Sequence, residues 1–210
     1  MAESLIYLIR HGETEYNRLD RIQGRGIDAP LNVTGERQAR AVGRWLRDAG
    51  VDAAVSSSLL RARQTASLAM GLPMDGIPAD ADLDELSYGA MEGIPVDEQR
   101  GDLAELYSTW SRGELHVAPE GGENPLQVYE RASGAVRRLV AAYPGKTLAL
   151  FTHGRTLRIV VSGLTGLGLT NMRDIPHQNG CIYRLRHQDG HYHIDLHNVI
   201  DHLTELHSHV

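Results

Sequence analysis

Thiol chemistry is nearly absent from this chain: Cys181 is the one cysteine in 210 residues. That excludes an intramolecular disulfide framework and fits a reducing compartment. Long apolar runs are missing as well. No stretch approaches the roughly 18 residues of a membrane span. The N-terminal run Leu5-Ile6-Tyr7-Leu8-Ile9 follows an acidic Glu3 and lacks the basic region of a signal peptide. There is no basic block, and the formal charge is −6, which argues against nucleic acid as a partner. Internal repeats, low-complexity tracts and flexible linkers are absent too. What remains is 41% hydrophobic and 23% charged, an ordinary globular composition at a length that supports one well-buried core. A cytoplasmic protein with no membrane or nucleic-acid partner is expected.

Apolar, β-rich runs alternate with helical patterns. Leu5–Ile9 reads as a buried strand. Thr34 is placed to cap a helix whose Ala39, Val42, Leu46 and Ala49 follow the 3.6 period, with Gly50 as its stop. Asp52–Val55 reads as a second strand, after which Ser57 or Ser58 caps a helix running to about Gly71. Residues 72–122 are rich in glycine, proline and acid, and only Val96–Trp110 looks helical. Asn124-Pro125 starts another helix, with Val128, Ala132, Val136, Leu139 and Tyr143 as its buried stripe. Thr147–Thr152 is a strand followed at once by a helix from about Arg155 to Leu164. Cys181–Leu185 and His191–Leu196 form a hairpin around Asp189-Gly190. The spacing predicts one α/β domain over residues 1–210: three layers, a mostly parallel central sheet, helices on both faces and the C-terminal hairpin at the edge. Residues 72–122 are expected to be an irregular insertion over the site.

Two strands end alike. Leu8-Ile9-Arg10 stops at His11-Gly12, and Leu150-Phe151-Thr152 stops at His153-Gly154. In open parallel sheets ligands bind beyond the carboxyl ends of the strands. If these strands are neighbours, His11 and His153 face one crevice. The two glycines then allow sharp turns, and the helix after His153 offers free N–H groups to an anion. The plain alternative is that each histidine ends a strand and bonds a loop carbonyl.

Arg61 weighs against that alternative. It lies in the first turn of its helix, where the dipole is already positive, and a cation there makes sense if an anion neutralises both. Arg63 reads as an ordinary surface charge. In LDELSYGAMEG, Glu85 sits among acids and turn-forming glycines; a solvated loop is the fair reading for Asp80, Asp82 and Asp84.

Two histidines, two arginines and a carboxylate in one crevice have a definite chemistry. The guanidinium forks suit phosphoryl oxygens, and a neutral imidazole can attack phosphorus. Cations stabilise the transferring group. The carboxylic acid protonates the leaving oxygen and then takes a proton from water. No constellation of carboxylates or thiolates asks for a metal, and no cofactor is implied.

The chain resembles the histidine phosphatase superfamily, in its phosphoglycerate-mutase-like branch. The matching segments are LIRHGETEYN, the QGRGIDAPLNVTGERQA run, SSLLRARQTA, DELSYGAMEG, PEGGENPLQVYERA and LALFTHG, which cover most of the chain in the family's order. The resemblance implies that His11 is the phosphorylated nucleophile. It implies that Arg10, Arg61 and His153 clamp the phosphate and that Glu85 exchanges the proton. Asn17, Gln23 and Gly24 match positions lining the phosphate and leaving-group side, and Gly154 matches one that contributes a backbone N–H.

Mutases of the family carry a basic and aromatic stretch (of the type ERHYG) where this chain has DELSYGAMEGIPVDEQ. With fewer cations for a doubly charged intermediate, the expectation is a metal-independent phosphatase acting on small-molecule phosphomonoesters. The nearest-looking relatives are broad-specificity phosphatases and those acting on α-ribazole phosphate or phosphorylated sugar acids. A cofactor-dependent phosphoglycerate mutase is the alternative. Arg25, Tyr88 and Arg112 could face the substrate or lie on the surface.

A different class is also open. Seven of the eleven histidines fall between His187 and His209, and His191 and His193 share one strand face, a pattern that could bind a metal. A non-catalytic phosphate-binding protein is the other rival. Trp45 and Trp110 read as partly exposed packing residues, Cys181 as a buried small hydrophobe, and the apolar hairpin could form a homodimer contact.

Overall fold

Strand β1 (Ser4–Arg10) sets the layers of the molecule. Its Ile6 and Leu8 point to one face and Tyr7 and Ile9 to the other, and all four are buried, as a strand covered on both sides requires. The computed structural model describes residues 3–207, and a short helix, α1 (Glu15–Arg18), follows β1. Ile6 and Leu8 pack against Ala132, Val136 and Val140 of α5 (Pro125–Ala142) and Leu157 and Val161 of α6 (Gly154–Leu164). Tyr7 and Ile9 pack against Val42 and Leu46 of α2 (Val33–Leu46) and Ala66 of α3 (Leu60–Met70). The result is one α/β domain of three layers.

β1 runs parallel to β3 (Thr147–Thr152), and β3 runs parallel to β2 (Ala53–Ser56). On its other side β1 is antiparallel to β4 (Ile182–Gln188), which pairs with β5 (His191–Val199). The order is β2-β3-β1-β4-β5. The sheet is therefore mixed, with a parallel core and an antiparallel edge. The hairpin turns through Asp189 and Gly190, both at positive φ (50° and 81°), the backbone that a two-residue hairpin loop demands.

Local chemistry moves several expected boundaries. Asn32, not Thr34, caps α2, its side chain accepting from Gly35 N–H. Neither Ser57 nor Ser58 caps α3. Leu59 takes that position without a side-chain bond, and Asp28 Oδ1 accepts the Leu60 N–H instead. Helix α4 covers Arg100–Ser111. Val96 is drawn off it because its N–H donates to Asp20 and Pro95 bridges to Arg21. The α5 stripe holds at Val128, Ala132 and Val136 but not at Tyr143, which is 40% exposed; Val140 is buried instead. Trp110 is fully buried rather than partly exposed, and its indole N–H donates to Val117 O.

The chain from Asp80 to Glu85 crosses the carboxyl ends of the parallel strands, and Arg131 of α5 fixes it there. Arg131 donates to the carbonyls of Asp82, Asp84 and Glu85 and closes a fork on Glu123 at 2.9 Å. Glu123 in turn accepts from Ser87 N–H. Burial opposes the charge on Glu123, but the Arg131 hydrogen bonds outweigh it and hold the carboxyl below its usual range. Removing one partner of such a pair strands the other. Arg131→Met is therefore expected to destabilise the fold by about 3 kcal/mol, read from urea midpoints at an unchanged m-value. No helix among the described residues is long and apolar enough to cross a membrane.

Candidate active site

Because β1 and β3 are adjacent and parallel, with Arg10 opposite Thr152, both interrupted ends open on one point. His11 N–H donates to Thr152 O, and the rings of His11 and His153 lie 5.1 Å apart between centroids. Both are buried, as is Arg61.

Glycine is required beside each histidine by close approach rather than by backbone sign. A Cβ on Gly12 would fall 2.4 Å from Gly35 O, where α2 crosses the turn. A Cβ on Gly154 would meet His177 Cδ2 at 2.8 Å and Arg10 Nε at 3.2 Å. Each glycine thus lets a neighbour reach the site.

The tautomer of His11 follows from its contacts. Nδ1 lies 2.7 Å from Gly12 O, so it carries a proton and donates to that carbonyl, leaving Nε2 with a free electron pair. Burial, then the charges of Arg61 and Arg10, hold its pKa well below the ordinary value. His153 is held down in the same way, first by burial and then by Arg61, His11 and Arg10. Its Nε2 lies 2.7 Å from Ser57 Oγ, whose proton goes to Asp84 Oδ1 at 2.8 Å. His153 Nε2 is therefore the donor, and Nδ1 is left bare and unpartnered in the interior.

These depressed values make stability depend on pH. Below pH 6.5 the unfolded chain protonates at both positions and the folded chain does not. Stability is thus complete above that pH and falls as pH drops below it. For two fully buried histidines the slope is expected to reach roughly 3 kcal/mol per pH unit below 6.5. Urea midpoints from pH 7.5 to 5.5 check this; a flat profile would contradict it.

Several polar groups of the site run out of protein partners. Arg10 Nε, Arg61 Nε and Gln23 Nε2 are buried with no acceptor. The rest of each side chain is pinned. Arg61 donates to Ile27 O at 2.6 Å and Gly24 O at 3.2 Å, and burial pushes its pKa down to about 10 against the pull of Glu85. Arg10 donates to His177 O, and Gln23 Oε1 accepts from Thr14 Oγ1. Asn17 Oδ1 accepts from Thr14 and Asn179, which turns its amide nitrogen away from them. Buried donors without acceptors cost about 1–3 kcal/mol each, a cost that a bound acceptor removes.

Glu85 faces the same space from the crossing segment. Its Oε1 accepts from Leu86 N–H, Thr156 N–H and Thr156 Oγ1, while Oε2 accepts only from Arg155 N–H. Oε2 is the oxygen with spare capacity. These bonds also occupy part of the α6 N-terminus that was expected to be free for an anion; the N–H of Gly154 remains without a partner among the described residues.

A cleft of about 330 Å³ opens above this floor, lined by Arg10, Asn17, Gln23, Glu85 and Gly154 and, farther out, by Tyr88, Tyr107 and Arg155. Val96, Arg100, Leu103 and Ala104 line it too, so much of its wall comes from the 72–122 segment. Gly24 does not line the cleft, its carbonyl serving Arg61, and His11, Arg61 and His153 are buried and not among the lining residues either. Tyr88 reaches the cleft, whereas Arg25 lies beside Asp84 and Glu123 and Arg112 beside Glu114. Asp84 is buried rather than a solvated loop acid, and it holds Ser57 and Ser58. Asp80 and Asp82 pair with Arg138. His191 and His193 are exposed on β5, and no three His, Cys, Asp or Glu gather at metal-binding separations among the described residues. His209 lies outside them.

Sequence reasoning missed Ser57 and Asp84, the bracket Arg131, and Arg155 and His177 at the cleft. Of these Arg155 had a signal. It stands in the first turn of α6, the same misplaced cation that singles out Arg61 in α3.

Comparison with known proteins places the chain in a family. Residues 6–200 match the model of the histidine phosphatase superfamily (branch 1). A probable phosphoglycerate mutase, GpmB, of Klebsiella pneumoniae subsp. pneumoniae is 34% identical over 88% of this chain and 86% of its own length. A protein named as an uncharacterized phosphatase, PhoE, of Bacillus subtilis is 30% identical over 95% of this chain and 96% of its own. The structure of a phosphoserine phosphatase from Entamoeba histolytica in complex with phosphoserine superposes with a TM-score of 0.84 at 27% identity, covering 95% of this chain and 99% of that one. The chain belongs to branch 1 of the histidine phosphatase superfamily.

Proposed function

We propose that the protein hydrolyses small-molecule phosphomonoesters through a phosphohistidine on His11. The observation that carries this reading is the pairing of a neutral His11, its Nε2 lone pair free, with the unpartnered donors of Arg10, Arg61 and Gln23. The donors hold the phosphoryl oxygens and the imidazole meets phosphorus.

In the first step the His11 Nε2 pair forms the N–P bond as the P–O bond to the alcohol breaks. Glu85 gives its proton to the departing oxygen from Oε2. Arg10 and Arg61 take up the charge on the phosphoryl oxygens. The negative charge also offsets the guanidinium charges that, after burial, help to keep His153 neutral. His153 can then carry a proton on Nδ1 towards the phosphoryl group, braced from behind by Ser57 and Asp84. In the second step water attacks phosphorus, Glu85 takes the water proton, and the N–P bond breaks to release phosphate and restore His11. The reactants are the phosphate ester and water, and the groups that act on them are side chains of this protein.

Mutase chemistry is the second reading, favoured by the likeness to a protein named a probable phosphoglycerate mutase and by arginines at the outer cleft. One assay separates the two: 3-phosphoglycerate with and without 2,3-bisphosphoglycerate, beside a phosphomonoester panel, all in EDTA. Phosphate release without interconversion to 2-phosphoglycerate is expected. Interconversion with little release would make the protein a mutase.

A further inference from the structure

The cleft carries more positive charge than the phosphoryl group uses. Arg155 is 7% exposed and faces the cleft. Its Nε donates to Tyr88 Oη at 3.2 Å, Tyr88 and Tyr107 share a hydrogen bond at 3.1 Å, and the guanidinium lies 4.2 Å from the Tyr107 ring centroid. The plane of the fork is thereby set. Its Nη1 and Nη2 donate to no protein group among the described residues. The guanidinium is thus stacked and held in place while its two outer nitrogens open on the cleft, where a planar acceptor can meet them.

The surroundings do not supply one. Arg10, Arg100, Arg155 and Arg173 line the cleft against one acid, Glu85, whose Oε1 is taken up by three donors and whose Oε2 meets the Arg155 N–H rather than its guanidinium. Arg100 pairs with Asp97 outside. His177, on the same wall, is pushed down to about 2 by burial and then by Arg10, Arg158 and Arg155. The electrostatics of the wall thus favour an anion. The rest of the lining is apolar, with Ile22, Val96, Leu103 and Ala104, and the volume suits a few carbons.

We infer that Arg155, set by Tyr88 and Tyr107, receives a carboxylate on the leaving-group side of the substrate. The substrate class is then the O-phosphorylated small hydroxy acid, with the phosphoryl group over His11 and the acid in the Arg155 fork. Two parallel N–H···O bonds match a planar carboxylate. This rests on the hydrolase reading for its chemistry, but the subsite itself is a matter of binding.

The test compares 3-phosphoglycerate with glycerol 3-phosphate, which differ only by carboxylate against hydroxymethyl. Binding is measured by calorimetry on the protein and on Arg155→Met and Arg155→Lys, with kcat/KM beside it. The parent is expected to bind 3-phosphoglycerate roughly 30-fold more tightly, the size of a charge-assisted fork. Arg155→Met is expected to bring the two ligands to near parity while glycerol 3-phosphate loses at most a few fold. Arg155→Lys keeps charge without the fork and is expected to recover only part of the preference. Equal binding of the two by the parent overturns the inference before any variant is made. So does an equal loss for both in Arg155→Met. Discrimination in binding with no hydrolysis of either ester or of p-nitrophenyl phosphate would uphold the subsite and overturn the hydrolase reading instead.

Discussion

His11→Ala is expected to lower kcat/KM on every phosphomonoester by at least about 10⁴-fold, the scale on which a covalent nucleophile is missed. The fold is expected to survive. The His11 side chain makes one hydrogen bond, to Gly12 O, and burial, followed by the charges of Arg61 and Arg10, holds it neutral. Its loss leaves the donors of Arg10, Arg61 and Gln23 in place, so inorganic phosphate is expected to bind within a few fold of the parent. Steady-state kinetics and phosphate titration on one preparation check both halves. A variant hydrolysing p-nitrophenyl phosphate at the parent rate would remove His11 from the chemistry.

Glu85→Gln is the second large effect, expected at about 10³-fold in turnover, within the range of a lost general acid and base. The amide is a poor guest as well as a poor acid. The carboxylate accepts four hydrogen bonds, three on Oε1 and one on Oε2. In either orientation the glutamine places its NH₂ against a backbone N–H. The useful readout is the dependence on leaving group. p-Nitrophenolate departs without a proton, so a rapid release of one equivalent is expected to survive before turnover stalls. Alkyl phosphates, whose alkoxide must be protonated, are expected to lose the first step too. Equal losses across leaving groups would assign Glu85 a positioning role instead.

Where sequence alone sufficed, a local rule coincided with a tertiary need. Leu5–Ile9 and Thr147–Thr152 are continuous apolar runs because both faces of β1 and β3 are covered, so strand type and the shared end at His11 and His153 were legible. Asn124-Pro125 was legible because capping is decided within four residues, and the box with Gln127 forms. Arg61 was legible because it breaks a rule of helix ends. The rest depended on partners distant in sequence. Asp84 looks like a solvated acid until Ser57, 27 residues earlier, is brought against it. Arg131 is one polar position on an amphipathic helix until the Asp82–Glu85 carbonyls are laid over it. Trp110 was misjudged because the cluster of Leu86, Tyr88, Val128 and Ile159 that buries it comes from separate segments. Arg155 obeyed the rule used for Arg61, but its meaning depends on Tyr88 and Tyr107 holding the fork open to the cleft.

The most direct measurement is chemical trapping of the intermediate. The protein is mixed with a ³²P-labelled phosphomonoester in EDTA, quenched within milliseconds and digested. Label is expected on the peptide containing His11, stable in base and lost in mild acid, as an N–P bond requires. Absence of covalent label during rapid turnover, or acid-stable label on another residue, would contradict hydrolysis through His11.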